Sequence, residues 1–156
     1  NYLRRRAEDQ ARRDPLTGAL HRYGLAEVGT RVLSRAHRSG DPITIAAIDF
    51  DDFKAINDFG GHAAGDAALC ESASLWMQGL EPGDLVVRTG GDEFVLLIHA
   101  DEECAAERLA MLRAQAAYPW SWGLTRYRAG DELDDLMQRA DAQLHLAKER
   151  RSGSRA

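Results

Sequence analysis

The chain has 156 residues, 44% of them hydrophobic, with 20 basic and 25 acidic side chains for a net charge of −5. Such a length and composition fit one soluble globular domain around one core, and the negative balance excludes a broad basic surface for a nucleic acid backbone. No stretch approaches the roughly 18 apolar residues needed to span a bilayer, and no charged-then-apolar secretion signal opens the chain, so a cytoplasmic domain without membrane contact is expected.

The chain opens on Asn1 rather than Met and reads as a fragment of a longer protein. Residues 1–13 are polar and helix-favouring, with Leu3, Ala7 and Ala11 on one stripe; they are either the end of a coiled-coil stalk or a solvated helical tail. Asp14-Pro15-Leu16-Thr17-Gly18 breaks that helix, and Leu25, Val28, Val32 and Ala36 mark the next one. After Gly40-Asp41-Pro42, the apolar run Ile43 to Ile48 predicts a strand buried on both faces, which delivers Asp49 at its end. A Gly-rich connection leads to a helix with Leu69, Ala73, Trp76, Met77 and Leu80 on one face, stopped by Glu81-Pro82-Gly83. Two apolar runs, Leu85 to Val87 and Phe94 to Ile98, flank Gly90-Gly91-Asp92 and predict a β-hairpin whose turn uses glycines for positive φ. Ala105, Leu109, Leu112 and Ala116 mark a third helix, Trp120 to Tyr127 a further strand, and Leu133 to Ala147 a last helix. The order α β α β β α β α implies an α/β (α+β) domain, a mixed sheet covered by helices. Cys70 and Cys104 lie among apolar helical positions, with no second Cys or His at metal-ligand spacing, and both are expected to be reduced core thiols.

Adjacent strands would bring Asp49 together with Asp92 and Glu93 at one edge of the sheet. Crowded like charges are unfavourable unless a cation lies between them. Magnesium, with few protein carboxylates and substrate phosphates, fits such a site; ordinary acidic turn residues are the structural alternative. Downstream, Lys54 could neutralise phosphate, Asn57 and Asp66 could pair with a base edge, since one carboxylate accepts both N–H groups of guanine, and Gly65 would allow close backbone approach. Each has a structural alternative: Lys54 a solvated helix charge, Asn57 a cap, Asp66 an N-cap.

Together these segments closely resemble the GGDEF family of diguanylate cyclases. Gly90-Gly91-Asp92-Glu93-Phe94 is the intact signature, preceded by Arg88. Asp14-Pro15-Leu16-Thr17-Gly18 resembles the family's opening motif, and Asp49 to Asp66, with Gly61-His62 and Gly65-Asp66, resembles its Asp-x-Asp-x-Phe-Lys-x-Ile-Asn-Asp…Gly-His-x-x-Gly-Asp segment. Arg139-Ala140-Asp141 with Ala147-Lys148 resembles its closing helix. The resemblance implies a catalytic domain over residues 14–156 after an N-terminal linker or stalk of residues 1–13. It implies a palm-like fold, as in nucleotidyl cyclases and polymerases, with a mixed sheet of about five strands. It implies metals (Mg2+ or Mn2+) held by Asp49, the Phe50 carbonyl and Asp92, with Glu93 as a further ligand or proton acceptor. Asn57 and Asp66 would read guanine, His62 and Gly65 would lie in the same substrate-binding segment, and Lys54 and Lys148 would hold phosphates. The implied reaction condenses two GTP into cyclic di-GMP with release of two pyrophosphates, in a homodimer assembled by an upstream sensory or dimerisation domain. A silent GTP-binding regulatory module and a cyclic GMP-AMP synthase are the alternatives.

The chain departs from the family pattern at His21, where Asn is usual, at Gly60, where an aromatic is usual, and at His145, which replaces Tyr. After Lys148 the family has Gly-Arg-Asn-Arg, whereas this chain has Arg151-Ser152-Gly153-Ser154-Arg155, so either Arg151 or Arg155 stands in for the phosphate-binding Arg. An Arg-x-x-Asp product-inhibition motif would fall on Glu81-Pro82-Gly83-Asp84, where the Arg is replaced by an acid and no inhibitory site is expected.

Overall fold

The structure, a computed structural model, describes residues 1–154. Its elements are α1 (Tyr2–Ala11), β1 (Leu20–His21), α2 (Arg22–Ser39), β2 (Thr44–Phe50), α3 (Phe53–Gly79), β3 (Leu85–Arg88), β4 (Glu93–Ile98), α4 (Glu102–Gln115), β5 (Trp120–Arg126) and α5 (Leu133–Gly153). The predicted order holds from α2 onward, and the two-residue β1 is an addition. Too short to show a periodic pattern, β1 is recognisable only by its parallel pairing with β3, Leu20 to Val87 and His21 to Arg88.

The five strands run β1-β3-β4-β2-β5, antiparallel except for β1. Strand alternation sorts their side chains onto two faces. Ala46, Ile48, Phe50, Phe94 and Leu96 join Trp76 and Trp120 in the core under α3 and α4. Ile45, Ala47, Val95 and Leu97 join Leu25, Leu33, Leu136 and Leu144 under α2 and α5. Covered on both faces, β2 is buried along nearly its whole length, as its uninterrupted apolar run predicts.

Two glycines shape the site from a distance. A side chain at Gly123 would collide with the backbone of α5 at Ala140 and Leu144, so its absence lets α5 lie directly on β5. Gly61 (φ 78, ψ 179) breaks the helical path of α3, a backbone state that favours glycine, so the expected Gly-rich connection is a kink within one helical element.

Several local expectations are corrected. Neither Gly90 nor Gly91 has positive φ; at Gly90 the Glu93 carboxylate lies 2.8 Å from where a Cβ would stand. Cys104 is exposed and Cys70 half-buried, both free thiols rather than core residues. Met77 is largely exposed, while Leu33 and Gly29, absent from the predicted stripe of α2, are buried.

Candidate active site

The antiparallel register of β2 and β4 places Asp49 directly opposite Glu93, with Asp92 in the preceding turn. A main-chain bond from Thr89 N to the Glu93 carbonyl (2.9 Å) closes that turn. Arg88 braces it from below: Nη2 donates to the Gly91 carbonyl at 2.8 Å, Nε reaches the Gly90 carbonyl at 3.2 Å, and Nη1 pairs with Asp14 at 3.2 Å. Asp14 also accepts from the Thr17 hydroxyl (2.7 Å) and amide (3.0 Å). Burial would raise its pKa, but the Thr17 and Arg88 donors outweigh that and hold it below the ordinary aspartate value. The opening motif is thus a clamp on the signature turn. The sequence supplied both halves of the clamp without showing that they touch.

The carboxylates meet as predicted. Burial, and then the neighbouring Asp49 and Glu93 charges, push the pKa of Asp92 upward. Asp49 Oδ1 is buried with no hydrogen-bond partner. Its Oδ2 accepts from Lys148 Nζ at 2.7 Å, and the same ammonium donates to the Phe50 carbonyl at 3.2 Å. No group of three or more acidic, His or Cys side chains forms a ready-made metal cage among the described residues. With Asp49 Oδ1 unpartnered, the few oxygens of Asp49, the Phe50 carbonyl and Asp92 would fit a hard divalent cation that takes its remaining oxygens from elsewhere, as magnesium does from phosphates. A cleft of about 310 Å³ adjoins Asp49 and Glu93, rimmed by Arg22, Gln138 and Asp141. A larger cavity, about 700 Å³, lies at the opposite end of the sheet between α2 and the segment before α5, and is lined by none of the candidate site residues named from the sequence.

Beyond Phe50 the chain turns sharply at Asp52, in the left-handed region at φ 60, and enters α3. The kink at Gly61 folds the two halves of α3 so that Asn57 lies against Gly65, where any Cβ would overlap the Asn57 amide. Asn57 Oδ1 is buried and unpartnered, and Asp66 is exposed next to Gly65. Both lie inside the helical element, so neither is a cap. Lys54 and His62 are exposed on the same element.

The closing helix holds the residue that the sequence left without a role. Asp51, 8% exposed, pairs with Arg151 and accepts from the Ser121 hydroxyl at 2.8 Å. Arg151 is thereby engaged, and Arg155 lies outside the described residues. Asp51 stands two residues after Asp49 in an acidic run, and the run itself carried no sign that one member is bound by a cation a hundred residues away.

A family model described as diguanylate cyclase, GGDEF domain, matches residues 11–154. The chain is 36% identical over 157 residues to Diguanylate cyclase DgcP of Pseudomonas aeruginosa, covering 90% of this chain and 23% of that protein. It is 32% identical over 151 residues to Diguanylate cyclase DosC of Escherichia coli, covering 88% of this chain and 33% of that one. The chain thus spans about a quarter to a third of these relatives. A solved microbial GGDEF domain, described for its interaction with cyclic di-GMP, superposes with a TM-score of 0.85 at 34% identity, covering 91% of this chain and 93% of that one. With its palm-like mixed sheet and intact signature, the chain belongs to the GGDEF domain family of diguanylate cyclases.

Proposed function

We propose that this domain condenses two GTP molecules into cyclic di-GMP, releasing two pyrophosphates, in the cytoplasm and as a face-to-face dimer. The observation that carries the reading is the under-compensated carboxylate group of Asp49, Asp92 and Glu93 beside the Phe50 carbonyl. Magnesium or manganese held there supplies the charge that lowers the pKa of the attacking 3′-hydroxyl and offsets charge growing on the phosphoryl oxygens. Glu93 serves as a further ligand or as the acceptor of the hydroxyl proton. Asn57 and Asp66 pair with the guanine edge, with the gap at Gly65 leaving room for the base beside His62. Lys54 and Lys148 bind phosphates, while Arg151 reaches them only by leaving Asp51.

One domain binds one GTP, so two must meet. Residues 1–13 act as the linker or stalk ahead of a catalytic domain running from Asp14, and an upstream sensory or dimerisation region brings two domains together. The length of the relatives supports this arrangement. Product inhibition through an Arg-x-x-Asp site is absent, because Glu81 replaces the Arg and Asp84 is already saturated with donors.

The test is to fuse the chain to a dimerising coiled coil, incubate it with GTP and magnesium or manganese, and identify the product by mass spectrometry. Cyclic di-GMP is the expected product. GTP that binds without reacting would replace this reading with a silent regulatory module, and cyclic GMP-AMP from mixed GTP and ATP would replace it with the heterologous synthase.

A further inference from the structure

The cation site already touches a positive charge belonging to the protein. Lys148 Nζ bridges Asp49 Oδ2 at 2.7 Å and the Phe50 carbonyl at 3.2 Å. They belong to two of the three residues proposed above to hold the metal. Lys148 reaches them because Gly123 lets α5 settle onto β5, so that the helical turn after Leu144 overhangs the end of β2. We infer that Lys148 is a displaceable internal cation: it competes with the divalent metal for Asp49 and the Phe50 carbonyl, and yields them when a nucleotide triphosphate offers its ammonium another anion. The inference rests on the proposed metal role of Asp49 and Phe50.

The two basic residues of this helix turn differ in the way the proposal needs. Arg151 is held by Asp51, a buried carboxylate that also accepts from Ser121, and so has little freedom to move. The Lys148 side chain ends in a point charge on a flexible four-carbon stem, which needs no fixed geometry at its new partner. A divalent cation and an ammonium cannot share one carboxylate oxygen and one carbonyl without strong repulsion at this separation. A cation that takes Asp49 Oδ2 and the Phe50 carbonyl therefore has to move Lys148, and the arriving phosphates give it somewhere to go. The consequence is that metal and nucleotide bind cooperatively, each affinity raised by the other by the same factor. Metal alone is held weakly, because it must first expel a bound cation.

The experiment is a manganese titration of the full chain followed by electron paramagnetic resonance, with and without a non-hydrolysable GTP analogue. Native protein is compared with Lys148→Met, Lys148→Gln and Asp49→Asn, each first checked for native melting behaviour. Without nucleotide, both Lys148 variants should bind manganese about tenfold or more tightly than native protein, and the analogue should tighten manganese binding in native protein far more than in either variant. Equal or weaker manganese binding by both Lys148 variants would overturn the proposal while leaving the metal site standing, provided that Asp49→Asn abolishes binding. If Asp49→Asn still binds manganese like native protein in the presence of the analogue, the metal assignment itself falls, and the proposal with it.

Discussion

The two ends of β4 hold two carboxylates treated in opposite ways. Beyond Ile98, the fully buried Asp84 side chain accepts from the His99 amide and ring Nδ1, both at 2.9 Å, and from the Glu81 amide at 3.0 Å, and it faces the Arg108 guanidinium at 3.5 Å. Opposite Glu93, Asp49 is more exposed, yet one of its oxygens is buried without any partner and the other accepts from a single lysine, Lys148. Asp84 is a finished structural joint between β3 and α4. Asp49 is incomplete, and with Asp92 beside it the local charge is unbalanced. Burial alone therefore does not mark out Asp49; its place beside Asp92 and Glu93, with one oxygen unpartnered, is what the proposed function rests on.

The contrast is sharpest if each acid is removed. Asp49→Ala should lower cyclic di-GMP formation in the dimerised protein by more than about a hundredfold, because a metal ligand is lost. The melting temperature should stay within a few degrees, since Lys148 can turn to water. Near-native turnover at matched protein and metal concentrations would erase the distinction between the two ends. Asp84→Ala should do the reverse. Stranding its amide and imidazole donors and leaving the Arg108 charge without its neighbouring carboxylate costs about 3 kcal/mol, read as a fall of roughly 6–12 °C in melting temperature for a domain of this size, with turnover at low temperature within about twofold of native. Calorimetric titration of cyclic di-GMP should find no micromolar site in native protein; a site that disappears with Asp84→Ala would make Asp84 a ligand-binding acid after all. A third acid tests whether an exposed, unpartnered carboxylate marks function too. Asp66→Ser should narrow the preference for GTP over ATP by about 1–3 kcal/mol in competitive binding, because guanine N–H groups lose their acceptor. An unchanged preference would assign base reading elsewhere.

What could be read from the sequence was what is local. The apolar run Ile43 to Ile48, the helical spacing of Leu136, Ala140 and Leu144, and the turn between β3 and β4 each carry their own signal within a few residues, and each element formed as predicted. The acids of the candidate site were legible for the same reason: Asp49 lies near the end of β2, Asp92 in the turn and Glu93 at the start of β4, so pairing adjacent strands brought them together. Even locally, the reason for a residue could be misread. Neither Gly90 nor Gly91 takes the positive φ expected of the turn, and Gly90 instead lies under the Glu93 carboxylate.

The partners of these residues were decided only by tertiary packing. Asp14 meets Arg88 across 74 positions of sequence, and Lys148 meets Asp49 across 99. No local periodicity encodes such a pair, because it depends on how closely one element lies on another. The decisive closeness here comes from an absence of atoms, at Gly123 under α5 and at Gly65 beside Asn57. Sequence alone determined which chemical groups this domain owns and the strand ends on which they sit. Packing determined which of those groups are already satisfied, and so which remain to bind something else.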